Sequence, residues 1–375
     1  MSKNKGKTVA VGMSGGVDST IAAYLLKEQG YNVVGLTMSI WDNSIDIPDL
    51  GKSGCYGPGE AKDIEFAADI AKKIGIKHYV VDLAKEYKET VLKYFCNEYT
   101  CGKTPNPCVI CNQKVKFGFL MQRALEMGIN YDHFATGHYV RTEYDPDKKR
   151  YLLKKAVDLS KDQSYFLSYL RQEQLEKLIF PLGDKNKTEI KELARKLGFT
   201  EVADKDESQD FIETDDYSVL FDKKDIKEGY FVNINGEKLG KHKGIIHYTV
   251  GQRKGLGISG GNSGILYVIK IDAETNTVVV GPENLLLSDE LTAINMNWIS
   301  IPELTSSMTV KAKIRQQHKE AKAIISPCLK EKNSNTINIK FTEPQRAITP
   351  GQTIVFYDND IVVGGGVICS TNTNL

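Results

Sequence analysis

Two groups of residues in this chain have the types and spacing to do chemistry: a glycine-rich run near the start and a group of thiols near residue 100. The run is Ser14-Gly15-Gly16-Val17-Asp18-Ser19, preceded by Gly12 and Met13. Glycines let the backbone turn tightly and present successive N–H groups to a phosphate, and a helix N-terminus behind them adds about half a positive charge. Ser14 and Ser19 can donate hydroxyl hydrogen bonds to phosphate oxygens, and Asp18 can hold the loop or a magnesium ion. No Gly-Lys-Ser/Thr is present, so this is not the loop that serves γ-phosphate transfer. A plain glycine turn capped by Asp18 and Ser19 is the bland alternative, and the strand-like residues just before the run argue against it.

Four cysteines, Cys96, Cys101, Cys108 and Cys111, fall within sixteen residues. Pro105 and Pro107 impose an extended approach and disfavour helix before Cys108. A helical pattern then starts at about Asn112, a good N-cap, with Val115 and Phe119 four residues apart. This places Cys108 and Cys111 at a helix N-terminus, where thiolate is favoured over thiol. A thiolate can attack sulfur or carry a persulfide. Three readings stand: a buried structural pair, a zinc or iron–sulfur site using all four cysteines, or a reactive pair beside the phosphate loop. The C-x4-C-x6-C-x2-C spacing matches no common zinc module.

The elements that must position these groups follow from periodicity. Thr8–Met13, Tyr31–Ser39, His78–Leu83 and His133–Val140 read as strands. A helix with Ile21, Leu25 and Leu26 on one face ends at Gly30, and another with Ile64, Ala67, Ala71 and Ile74 stops at Gly75. This alternation predicts an α/β fold, a parallel sheet covered on both faces. From Asp162 to Gly198 the pattern is amphipathic and helical, and an acidic stretch, Glu201 to Asp225, follows. Short β segments with Asn235-Gly236 and Asp358-Asn359 turns run on to the end. We expect a catalytic domain over 1–213, a small β domain over 214–288 and a β-barrel over 289–375.

The 375 residues need more than one core, and 41% hydrophobic with 26% charged content is that of a globular protein. Lys and Arg (49) nearly balance Asp and Glu (48), so any nucleic-acid surface is local. Three basic clusters qualify. One contains Lys241, Lys243, Arg253 and Lys254; a second Lys311, Lys313, Arg315, Lys319 and Lys322; a third Lys148, Lys149, Arg150, Lys154, Lys155 and Lys161. No apolar run approaches the roughly 20 residues that span a bilayer, and no signal core precedes the first strand, so a cytoplasmic location is expected.

Seven segments, in order, resemble the tRNA-specific 2-thiouridylases, a family within the PP-loop ATP pyrophosphatases. They are GMSGGVDS (12–19), TPNPCVICN (104–112), ATGHYV (135–140), KDQSYFL (161–167), FPLGDKNKTEI (180–190), YTVGQRKGLGI (248–258) and TPGQTIVFY (349–357). The resemblance implies an adenine nucleotide alpha hydrolase-like first domain that binds ATP with Mg2+, adenylates the wobble uridine of a tRNA and replaces its oxygen with sulfur. It implies that Gly12–Ser19 hold ATP, with Met38 and Gly137 on the adenosine side. Asn106, Pro107 and Cys108 would line the pocket for the extruded base. His138, Lys161, Asp162, Gln163, Arg315, Gln316 and Gln352 would contact the anticodon arm, and Cys111 matches the family's nucleophile. A cysteine desulfurase or sulfur-relay protein is the implied sulfur donor. One departure stands out. Many members carry a second, persulfide-bearing cysteine where this chain has Ile212, whereas Cys108 stands where those members often have aspartate. Either Cys108 and Cys111 share the sulfur transfer, or both ligate a [4Fe-4S] cluster with Asp210 as a third ligand.

Overall fold

The computed structural model describes residues 4–48, 51, 54–205, 210–258, 264–328 and 335–371. The chain forms two compact units: Met1–Val91 with Cys108–Asp215 and Asp360–Val362, and Leu92–Pro107 with Asp216–Asn359 and Val363–Leu375.

The first unit is built on β1 (Thr8–Gly12), α1 (Val17–Glu28), β2 (Asn32–Ser39), β3 (Gly54–Tyr56), α2 (Glu60–Ile74), β4 (Lys77–Asp82) and β5 (His133–Ala135). Its sheet runs β4-β2-β1-β5, with the short strand Leu178–Ile179 at the edge, and every pairing is parallel. Val9, Ala10 and Val11 are fully buried, as a central strand covered on both faces requires. In α1, Ile21, Ala22, Ala23 and Leu26 are also fully buried, and each larger side chain contributes about 2 kcal/mol. Gly75 closes α2 in the left-handed conformation, φ +74°. Because β1 has β2 on one side and β5 on the other, its carboxyl end opens at the point where strand order reverses, the usual place for a ligand crevice.

Three local expectations are corrected. The strand expected over 133–140 stops at Ala135 and a separate strand starts at Val140. Between them Gly137 lies so close to α1 that a Cβ would sit 2.5 Å from the carbonyl carbon of Asp18. The helix expected from Asn112 starts earlier: Pro107 opens it, since proline at the first helical position loses no hydrogen bond. From Cys111 to Phe119 it is a π-helix. The Gln174 amide donates to the carbonyls of Gln113 (2.9 Å) and Phe117 (2.6 Å), satisfying groups the wider turn leaves over. Finally, 162–198 is less helical than its pattern. It contains a 3₁₀ turn (Ser164–Leu167), a short helix (Gln172–Leu175), the edge strand and one longer helix, Lys187–Lys196.

The second unit holds two β structures. One is a four-stranded sheet in the order Lys238–His242, Gly229–Val232, Thr277–Gly281, Tyr267–Asp272. The other is a six-stranded barrel in the order Leu287–Trp298, Ile337–Arg346, Ala321–Pro327, Met308–Lys313, Thr353–Asp358, Ile361–Thr371, with its first and last strands paired. Alternation fills it: Val310 and Ala312, Ala323 and Ile325, and Ile337, Ile339 and Phe341 point inward. Among the described residues no helix is long and apolar enough to cross a membrane.

Candidate active site

The crevice at the carboxyl end of β1 is a cavity of about 450 Å³, within the range of small-molecule sites. Of the residues expected to hold ATP, Gly12, Met13, Ser14, Gly16, Val17, Asp18, Ser19, Met38 and Gly137 line it. Gly15 does not, but its φ of +71° makes the turn, and a Cβ there would press on Phe66 at 3.1 Å. Ser19 serves the loop itself: its hydroxyl donates to the Gly16 carbonyl (3.1 Å) and accepts from the Ser14 N–H (3.3 Å). The first N–H groups of α1, which have no partner within a helix, face this end.

Asp18 anchors the loop. Its carboxylate oxygens lie 2.8 and 2.7 Å from Lys187 Nζ, and the Tyr139 hydroxyl donates to Oδ1 at 2.8 Å. Lys187 and Tyr139 are both buried, so a lysine from a distant helix neutralises the one carboxylate in the loop. Of the two tasks foreseen for Asp18, this geometry serves loop positioning. Its oxygens are already committed and offer magnesium little.

The rest of the wall carries Cys55, Cys108, Asn112, Lys116, His138, Gln163 and Asp210. Cys111, one helical turn beyond Cys108, is half-buried and is not part of the cavity lining. The expectation of thiolates is overturned, because desolvation outweighs the helix terminus. Burial pushes the Cys111 thiol up to about 12 and raises Cys108 and Cys55 as well, with the Lys116 ammonium pulling all three down. His138 is held well below its ordinary value by burial and by Lys116, so it is neutral at pH 7, with Nδ1 hydrogen-bonded to Thr136 Oγ1 at 2.7 Å. Gln163 accepts from the Tyr139 N–H (2.8 Å), and Asp162 accepts from the N–H groups of Ala156 and Ser164. Lys161 begins the same turn, its N–H bonded to the Asp158 carbonyl.

The remaining expected contacts, Asn106, Pro107, Arg315, Gln316 and Gln352, belong to the second unit. There Gln352 Nε2 donates to the carbonyls of Thr104 (3.0 Å) and Pro105 (3.1 Å), fixing the loop that carries Asn106. Arg315 reaches the carbonyl of Arg346 at 3.3 Å, and Gln316 is the next residue of the same turn. In the third basic cluster Lys154 is bonded to Glu143, Lys148 pairs with Asp145 and Lys155 is buried, so it is largely structural. On the barrel, by contrast, Lys311 and Lys322 stand exposed and directly opposite each other on paired strands, where like charges repel.

As placed, the side chains do not fit a metal centre. Among the described residues no group of three or more His, Cys, Asp or Glu is disposed to hold an ion, the set Cys108, Cys111 and Asp210 included. The four-cysteine reading fares no better: the Cys96 thiol is engaged elsewhere, donating its hydrogen to the Leu220 carbonyl.

Sequence reasoning missed three wall residues, Glu60, Lys116 and Cys55, and the lysine that pairs with Asp18, Lys187. Glu60, at the start of α2, accepts from Ser39 Oγ (2.8 Å) and from the N–H groups of Ile40 (2.7 Å) and Trp41 (3.0 Å), so it shapes the loop after β2. Lys116 gave no signal beyond being a lysine on a helix. Lys187 lay inside a noted motif, and its buried position was the missing clue. Cys55 is isolated from the other cysteines in sequence, and only the fold brings it to them.

Comparison with known proteins covers most of the chain. A family described as tRNA methyl transferase HUP domain matches residues 7–213, a tRNA methyl transferase PRC-barrel domain 218–282, and an aminomethyltransferase beta-barrel domain 288–368. The chain is 52% identical over 366 residues to the tRNA-specific 2-thiouridylase MnmA 2 of Thermoanaerobacter sp. (strain X514), covering 96% of this chain and 97% of that one. It is 50% identical to tRNA-specific 2-thiouridylase MnmA of Acetivibrio thermocellus, over 98% of this chain and all of the other. A solved 4-thiouridine synthetase–RNA complex with bound ATP is 18% identical, covers 55% of this chain and 44% of that chain, and has a TM-score of 0.34, too low to carry an argument.

Proposed function

This chain belongs to the tRNA-specific 2-thiouridylase family, and from that premise we propose how its own residues carry out ATP-dependent 2-thiolation of the wobble uridine. The observation that carries the reading is one cavity lined by both the phosphate loop and Cys108. A thiol wall suits sulfur transfer better than the methyl transfer in the family descriptions.

The uridine 2-oxygen is a poor leaving group. It attacks the α-phosphorus of ATP as N3 gives up its proton, and pyrophosphate departs with the electron pair of the broken bond. The loop N–H groups and α1 terminus stabilise phosphate charge. Asp18 holds the loop through Lys187, so a magnesium ion would be held by the nucleotide phosphates, whose charge it would help to neutralise. A persulfide on Cys108 then attacks C2 through its terminal sulfur, and AMP leaves. Cys111 attacks Cys108 Sγ, the bond to the transferred sulfur breaks, and 2-thiouridine is freed. The enzyme is left with a Cys108–Cys111 disulfide, which an external dithiol reduces. The sulfane sulfur comes from a protein or small-molecule persulfide. The base must be extruded from its loop at a cost of about a few kcal/mol.

The three-part division at 213 and 288 belongs to the same proposal, with the barrel as the tRNA-holding part. Lys311 and Lys322 support it, since a repulsive pair on an exposed face is relieved when a phosphate lies between. The deciding experiment is mass analysis of nucleosides after incubating unmodified tRNA with enzyme, ATP, Mg2+ and a persulfide. We expect 2-thiouridine together with AMP and pyrophosphate, and none with Cys111→Ser, which still binds tRNA. Wild-type levels of 2-thiouridine from Cys111→Ser would refute the nucleophile assignment.

A further inference from the structure

Cys55 lines the same cavity wall as Cys108, although 53 positions separate them in the chain. It sits in the middle of β3, which pairs in parallel with Asp210–Ile212 in the register Gly54↔Asp210 and Tyr56↔Ile212. That pairing is tight: a Cβ on Gly54 would lie 2.6 Å from the Ile212 backbone. Beyond it the buried Glu213 accepts from the Gly59 N–H at 2.9 Å, and Gly57 and Gly59 leave room for its carboxylate. The strand is therefore a fixed support, and Cys55 is aimed by it. Behind them Tyr56 stacks on Tyr87 at 5.4 Å, and Tyr87 is close enough to Cys55, Cys108 and Cys111 to interact electrostatically with each. One ammonium, Lys116, acts on all three. Of the three residues Cys55 has the most surface open to solvent, although the protein around it desolvates its thiol as it does the other two.

We propose that Cys55 is the sulfur acceptor of this enzyme: it takes the sulfane sulfur from an external persulfide and passes it to Cys108. The proposal rests on the sulfur-transfer reading above. In the first step the Cys55 thiolate attacks the terminal sulfur of a donor persulfide R–S–SH. A Cys55–S–SH forms, the donor S–S bond breaks, and the donor leaves as a thiolate. In the second, the Cys108 thiolate attacks that same terminal sulfur and Cys55 departs as thiolate. Neither step is a net oxidation, so no further reactant is needed. The residue with the most open surface meets the donor, and the two less exposed ones take the sulfur onward. A strand neighbour of Ile212 thus supplies the thiol that position 212 lacks.

The test uses the full chain and glutathione persulfide carrying heavy sulfane sulfur, with quenched samples read by peptide mass analysis. Label should reach the Cys55 peptide before the Cys108 peptide in the wild-type protein. This readout needs no variant. Cys55→Ser and Cys55→Ala should both lose tRNA thiolation by about 100-fold while the rate of the single-turnover burst of pyrophosphate changes by less than about two-fold. Direct labelling of Cys108 at the wild-type rate in Cys55→Ser would overturn the proposal. So would iron and sulfide bound stoichiometrically by anaerobically purified wild type and lost from Cys55→Ser. A wild-type protein that releases no pyrophosphate with tRNA would instead refute the underlying reading, and this one with it.

Discussion

The two walls of the cavity are built in opposite ways. The phosphate wall is one continuous run, Gly12–Ser19, on the turn between β1 and α1. The thiol wall is assembled from β3, the helical segment opened by Pro107 and the strand at Asp210, none adjacent in sequence. A contiguous wall is fixed by local geometry, with glycines where φ must be positive. A composite wall is fixed only by the fold around it. Damage to the first should therefore act through backbone strain, and damage to the second through chemistry.

The strongest way to break the phosphate wall is Gly137→Ala. The new methyl would lie 2.5 Å from the Asp18 backbone, so α1 must shift. We expect about 3 kcal/mol lost in denaturant unfolding and nucleotide affinity reduced beyond detection. Next is Lys187→Met, which leaves the Asp18 carboxylate without its cation, expected to cost about 2–3 kcal/mol. Asp18→Asn in the same chain should recover part of the loss. An additive double mutant would show that the pair is not coupled.

The thiol wall should instead be sensitive to pH. The Cys111 thiol is raised from 9.0 to about 12, so the folded state favours the protonated form. Its contribution to stability is fully present below pH 9 and is lost as the pH rises from 9 toward 12. The urea midpoint should fall over that window and fall less in Cys111→Ser. The rate of a thiolate-limited step should climb with pH without levelling at pH 9, and Lys116→Met should lower it at any one pH, because Lys116 draws the thiol pKa down. A pH-independent rate would show that thiolate formation is not limiting. The smallest effect lies on the barrel. Lys311→Glu faces Lys322 and should stabilise by about 0.5 kcal/mol while weakening tRNA binding, with a salt slope reduced by about 0.7.

The same contrast explains what the sequence revealed. The parallel sheet, α1, α2 and the phosphate loop were legible because each follows from a run of neighbours: an apolar strand, a helical stripe, a glycine at a turn. The β character of the second half was visible through its short segments and its Asn235-Gly236 and Asp358-Asn359 turns. Cys55, Lys116, Lys187 and Glu60 were not legible, since partners far along the chain give them their surroundings. Burial also reversed the thiolate expectation at Cys108 and Cys111, which local helix reasoning could not foresee. The break at Gly137 was hidden for the same reason, its cause being α1 rather than its own neighbours.

The clasp between the 104–105 carbonyls and the end of the chain has a bearing on biosynthesis. The Thr104 N–H bonds the Pro350 carbonyl at 2.9 Å, and Gln352 closes the other side. A ribosome makes the loop first and its fastener about 245 residues later, some tens of seconds at bacterial elongation speeds of roughly 5–20 residues per second. Until then the segment bearing Asn106 lacks these three hydrogen bonds. A nascent chain stalled before residue 349 would leave this stretch open to proteases, whereas the finished protein shields it.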